Sequence, residues 1–142
     1  NVARSFIIGA AMAGIEVTVS TPPAYGFDPA TLARAEAAGA APTVVEDPAA
    51  AVAGADFVYT DVWISMGQED QRETKLAAFE GYQVDSALLA GTDAQVLHCL
   101  PAHRGEEITD AVLRSERSIV FEQAENRLHA QKALMAHLTA SG

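Results

Sequence analysis

At 142 residues, with 49% hydrophobic side chains and few aromatics, the chain holds enough apolar material for one domain with a core of Ala, Val, Ile and Leu, which excludes intrinsic disorder. A net charge of −10 argues against nucleic acid as a partner and against docking on anionic membranes, because both need a basic surface. No apolar run reaches the roughly 20 residues of a spanning helix, and the lone Cys99 rules out an internal disulfide and fits a reducing, cytoplasmic compartment.

The chain opens at Asn1 directly into a helical pattern, without an initiator Met, a basic leader or a cleavage site, and is expected to be a fragment. Phe6 to Ala13 reads as a buried helix stopped at Gly14 in a left-handed position. Ile15 to Ser20 is a β-branched strand, followed by a Pro-rich loop. Asp28-Pro29 starts a helix that ends near Gly39: Asp caps free amides, and Pro occupies the first turn, where no N–H is needed. Thr43 to Glu46 is a strand, and Asp47-Pro48 repeats the helix-start signal. Asp56 to Thr60 is a strand, Gln68 to Phe79 a polar helix, and Val96 to Leu100 a strand ended by Pro101. Thr109 caps a short helix through Leu113, and Ser118 to Phe121 is the last strand. From Ala124 onward Leu128, Gln131, Met135 and Leu138 share one face of an amphipathic helix. Strands alternating with helices predict an α/β chain with a doubly wound, mainly parallel, Rossmann-like sheet in a single domain.

Ligands of such sheets bind beyond the carboxyl ends of the strands. Three polar loops follow strands: 61–69, 100–105 and 122–127. Parallel strands would open them on one edge. That edge then carries a carboxylate, a hydroxyl, a thiol and a guanidinium. The set suits a zwitterion, with Asp61 for an ammonium and backbone or side-chain amides for a carboxylate. Arg127, placed at the start of the final helix, would favour an anion or a developing oxyanion. Each residue also has a plainer role open to it. Asp61 can cap a turn, Ser65 can be a loop residue, Cys99 a small buried hydrophobe, Trp63 packing and Arg127 a solvated side chain.

Other chemistries fit less well. His98 and His103 flank a Pro-containing turn, His129 and His137 lie on different parts of a helix, and no Cys-His cluster has zinc spacing, so no metal is expected. His98 and Cys99 adjoin on a strand and point to opposite faces, which disfavours a Cys-His nucleophile. Neither a phosphate loop nor a GxGxxG fingerprint is present, which argues against ATP and dinucleotides.

Taken in order, Asp61-Val62-Trp63-Ile64-Ser65-Met66-Gly67-Gln68-Glu69, His98-Cys99-Leu100-Pro101 and Phe121-Glu122-Gln123-Ala124-Glu125-Asn126-Arg127 resemble three signatures of ornithine carbamoyltransferases, and the resemblance runs from Asn1 into the last helix. It implies transfer of a carbamoyl group from carbamoyl phosphate to the δ-amine of L-ornithine, giving citrulline and phosphate, with no cofactor, metal or covalent enzyme intermediate. Asn1 and the Met66 amide would meet the ornithine carboxylate, and Asp61 and Ser65 the α-amino group. Cys99 and Leu100 would lie by the carbamoyl moiety, with Arg127 toward carbamoyl phosphate. Asp61, Cys99 and Arg127 would be the catalytic set. A thiol beside Asp61 is a poor nucleophile, because a neighbouring negative charge disfavours the thiolate.

The resemblance also implies an ornithine-binding domain over 1–123, lacking its first central strand, so that the sheet is split or rearranged. Residues 124–142 would be a helix that packs on a separate N-terminal carbamoyl-phosphate domain, and the full enzyme would be a homotrimer. Nothing in the chain resembles that domain's Ser-x-Arg-Thr-Arg phosphate motif, so this chain alone would be inactive. The alternatives are a carbamoyltransferase for putrescine or an acylornithine, a non-catalytic amino-acid-binding module, and a hydrolase using Cys99. Asp61 speaks against an α-N-acylated substrate, which has no ammonium to hold.

Overall fold

The computed structural model describes residues 1–65 and 67–140. Helix α1 (Val2–Met12) leads to β1 (Thr18–Ser20), α2 (Pro29–Ala38), β2 (Thr43–Val45), α3 (Pro48–Val52), β3 (Phe57–Thr60), α4 (Arg72–Ala78), β4 (Gln95–His98), α5 (Asp110–Leu113) and α6 (Val120–Ala140). The local signals account for most of these boundaries. Asp28 accepts from Thr31 N at 2.9 Å, Asp47 from Ala49 N at 2.9 Å and Thr109 from Val112 N at 3.3 Å, each closing the first turn of its helix. Gly14, at φ 70, ends α1: its amide bonds Ala11 O and the next amide, Ile15 N, bonds Ala10 O.

The strands are parallel and separated by helices, as an α/β chain requires, but they form two pairs and not one continuous sheet. β1 pairs with β2 from Thr18↔Thr43 to Ser20↔Val45, and β3 with β4 from Phe57↔Gln95 to Thr60↔His98. No strand bonds one pair to the other among the described residues.

Three expectations need correction. The strand foreseen over Ile15 to Ser20 pairs only from Thr18, because Ile15 N is spent closing α1 and the Ile15 side chain stays exposed. The strand foreseen over Ser118 to Phe121 is a single bridge, Val96↔Ser118, and α6 begins at Val120 and not at Ala124. The run Ser-Ile-Val-Phe is too short for periodicity to separate strand from helix, and Val120 enters the core from a helical first turn. Finally, α1 is buried on one face only. Ile7, Ala10 and Ala11 are covered, whereas Phe6 and Met12 are exposed.

That covered face meets α2 through Thr31 and Ala35. The helices approach so closely that a Cβ on Gly39 would collide with the Ala11 carbonyl. The main core lies around β4, where Val84, Leu89, Val96, Ile108, Val112, Leu113 and Val120 form one cluster. Helix α6 leaves this core after Val120, and Leu128, Leu134, Met135 and Leu138 are exposed along it. No helix among the described residues is long and apolar enough to cross a membrane.

Candidate functional site

Register creates the centre of the site. Because Thr60 is opposite His98 in parallel strands, Asp61 and Cys99 are the first residues beyond two adjacent strand ends. Cys99 Sγ donates to Asp61 Oδ1 at 2.8 Å, and Val62 N donates to the same oxygen at 2.8 Å. Two of the three loops therefore converge as the pattern predicts. Burial, then the hydrogen bond to Asp61 and its negative charge, push the Cys99 thiol up to about 12. The thiol is therefore a protonated donor at neutral pH and a poor nucleophile, which removes the basis for a Cys hydrolase.

His98 faces the other way and has both ring nitrogens engaged. Leu100 N donates to Nδ1 at 2.8 Å, which places the ring proton on Nε2, and Nε2 donates to Glu107 Oε1 at 2.9 Å. Both side chains are fully buried. Glu107 Oε1 also accepts from His103 N at 2.7 Å. Burial works to raise the Glu107 pKa, but the bonds from His98 and His103 outweigh it and hold the carboxyl below its ordinary value. This link folds the loop after β4 back on itself. It also supports Leu100 in the left-handed region at φ 54, a conformation that costs a non-glycine residue about 1–2 kcal/mol.

The other segments are tied to the same edge. From the first turn of α6, Gln123 Oε1 accepts from His98 N at 2.9 Å, so the third motif braces the second. The loop after β3 is held by buried Lys75, whose Nζ donates to Trp63 O at 3.1 Å and to Gln68 Oε1. Trp63 stacks on Phe79 with ring centroids 5.3 Å apart.

The remaining sequence-predicted residues are more dispersed. Leu100 adjoins Cys99, with its amide committed to His98. Ser65 is exposed in the loop, and Met66 lies outside the described residues. Asn1 caps α1 without a side-chain bond, and with Val2, Ser5, Phe6 and Tyr59 it lines an open surface cleft of about 460 Å³. Arg127 is exposed on α6. Since α6 starts at Val120, Arg127 sits about two turns in, where the positive helix end no longer reinforces it.

Tyr59, Lys75, Glu107 and Gln123 were not singled out from the sequence. Only Gln123 had a usable signal: it lies within the third of the three motifs. His103, Glu106 and Glu107 bring ligand-capable atoms within 4.8 Å of one another, the grouping among the described residues that resembles a metal site. Bonds from Arg72 to Glu106, and from His98 and His103 N to Glu107, occupy one oxygen of each carboxylate, while the second oxygen of each is buried without a hydrogen-bond partner.

The family model for the aspartate/ornithine carbamoyltransferase Asp/Orn binding domain matches residues 1–138. The chain is 64% identical over 138 residues to an ornithine carbamoyltransferase of Haloquadratum walsbyi, covering 97% of this chain and 46% of that protein. It is 53% identical over 144 residues to one of Methanoculleus marisnigri, covering 100% of this chain and 47% of that one. Among solved structures, ornithine carbamoyltransferase from Pyrococcus furiosus matches with a TM-score of 0.86 at 45% identity, over 96% of this chain and 45% of that one. Anabolic ornithine carbamoyltransferase from Campylobacter jejuni matches with a TM-score of 0.89 at 34% identity, over 99% and 48%. The chain thus spans about half the length of the curated relatives it matches.

Proposed function

Since the chain belongs to the aspartate/ornithine carbamoyltransferase family, through its Asp/Orn binding domain, we propose that it supplies the ornithine half of an ornithine carbamoyltransferase site. The reaction is transfer of the carbamoyl group from carbamoyl phosphate to the δ-amine of L-ornithine, giving citrulline and phosphate. The observation that carries this reading is the Asp61–Cys99 pair at two adjacent strand ends, with its thiol kept protonated.

In this scheme Asp61 and Ser65 hold the α-ammonium group, and Asn1 and the Met66 amide hold the carboxylate. Cys99 and Leu100 stand between the two substrates, and Arg127 turns toward carbamoyl phosphate. The neutral δ-nitrogen attacks the carbonyl carbon to form a tetrahedral intermediate. Its C–O bond to phosphate then breaks, and the nitrogen loses a proton. Positioning two substrates and stabilising the oxyanion supply the rate, so no resident cofactor or metal is needed.

Residues 1–123 would form the ornithine-binding domain, with 124–142 running on to a separate carbamoyl-phosphate domain. The exposed apolar side chains Leu128, Leu134, Met135 and Leu138 support that placement. The complete enzyme would be a homotrimer of the cytoplasm serving arginine synthesis.

Calorimetric titration with L-ornithine, repeated with the N-terminal domain and a bisubstrate analogue added, tests the reading. Binding should sharpen with the second domain and weaken at least about tenfold, or 1.4 kcal/mol, in Asp61→Asn. Preference for putrescine or an acylornithine would change the substrate. Absence of all binding would leave a non-catalytic module.

A further inference from the structure

The turn after β4 gathers three side chains that carbamoyl transfer leaves unused. Glu106 N donates to His103 O at 3.0 Å, closing a turn that brings His103 back over Glu106 and Glu107. One ligand-capable atom from each of the three lies within 4.8 Å of the other two. The Glu107 side chain is fully buried, Glu106 is 18% exposed and the His103 ring 43% exposed. The group is thus a recess with a carboxylate floor and an imidazole at its mouth.

Two features separate it from an ordinary acidic patch. The first is what its bonds leave over. Glu107 Oε1 accepts from His98 Nε2 and His103 N, and Glu106 Oε1 accepts from Arg72. Among the described residues, Glu106 Oε2 and Glu107 Oε2 are buried with no hydrogen-bond partner. A buried acceptor without a donor is costly, and a charged one more so. The second feature is the imidazole. His103 Nδ1 stands 3.7 Å from the orphaned Glu106 Oε2, too far for a hydrogen bond. It is close to the ~3.4 Å between two ligands of a tetrahedral zinc ion with bonds of about 2.1 Å.

We propose that His103 Nδ1, Glu106 Oε2 and Glu107 Oε2 form a binding site for a divalent transition-metal ion, zinc by preference, with water as the fourth ligand. Imidazole favours zinc over magnesium and calcium, and two carboxylates match its charge. Arg72 and His98, each bonded to the other oxygen of its carboxylate, hold the two glutamates in place, as partners of metal ligands do. The expectation of no metal rests on Cys-His spacing, which a site of one imidazole and two carboxylates does not follow. His98 and Cys99 point to opposite faces of β4, so the ion sits on the side away from Cys99 and takes no part in the transfer. Its role is to pin the loop after β4, and nothing in it depends on the ornithine reading.

Calorimetric titration of the 142-residue chain with zinc chloride tests the site. One ion should bind with micromolar affinity and raise the melting temperature as it saturates. In His103→Ala, at a part-exposed position, affinity should fall at least about tenfold, since removing even a supporting partner of a ligand costs that much. Glu106→Gln keeps the shape, removes the charge and should weaken binding as well. It carries the test alone if His103→Ala does not fold. Cobalt in place of zinc separates this site from the thiol. Nitrogen and oxygen ligands give weak visible bands, whereas ligation by Cys99 would add intense sulfur-to-metal charge transfer. No zinc binding by the folded wild-type chain would overturn the proposal. So would unchanged affinity in a folded variant, or a thiolate band with cobalt.

Discussion

The two parallel strand pairs are built alike and supported differently. β1 and β2 have no buried residue, whereas β4 places Val96 and His98 fully inside, under Val84, Leu89, Ile108, Val112 and Leu113. Helix α3 packs on the first pair, and the buried residues Ile7, Ala10, Ala11, Thr31 and Ala35 belong to the contact between α1 and α2. The second sits on the main core and carries Asp61 and Cys99. The edge that carries the candidate site is positioned by the half of the molecule whose core closes. Its most buried polar contact, His98 with Glu107, secures the loop that follows.

The strongest way to break that half is Glu107→Ala. It leaves His98 Nε2 and His103 N without their buried acceptor, at about 1–3 kcal/mol for each donor left unsatisfied. Urea unfolding would measure this, and a loss under about 1 kcal/mol would mean that packing alone holds His98. The same carboxylate sets an acid limit. Its folded pKa lies below the ordinary 4.5, so its contribution is present above that value and is lost as pH falls through the lower, folded value. Stability below pH 4.5 should therefore fall less steeply in Glu107→Gln than in the wild-type chain.

Core truncation addresses the comparison directly. Ile108→Ala should cost about 2–5 kcal/mol, whereas Val44→Ala, at a half-exposed position on β2, should change stability by less than about 0.5 kcal/mol. Equal losses would erase the distinction between the two halves. Gly39→Ala sharpens it with a smaller effect. The added methyl forces α1 and α2 apart at a cost of about 1–3 kcal/mol. Because the α1–α2 contact lies outside the β4 core, its loss in urea unfolding should add to that of Ile108→Ala when the two substitutions are combined.

Much of the fold was legible because its signals are local. Asp28-Pro29, Asp47-Pro48 and Thr109 each satisfy amides two or three residues away, and Gly14 ends α1 where its left-handed φ is needed. Such bonds depend on little beyond the residues themselves. Legibility failed where a short apolar run had two outlets. Ser118 to Phe121 matched a strand as well as a helix start, and Val120 in the β4 core decided for the helix. The misplaced helix start then misplaced Arg127 relative to the helix end.

The site divides along the same line. Alternation of strands and helices, and the rule that polar loops follow parallel strand ends, are enough to bring Asp61 and Cys99 to one edge. The sequence by itself thus determined most of the element types, the parallel pairing and that convergence, because each follows from side-chain period and local capping. Tertiary structure alone decided that Gln123 braces His98 from 25 positions away and that Lys75 holds the loop at Trp63. Such contacts arise when buried polar groups must find partners in whatever packing results, and no local pattern encodes which partner that will be.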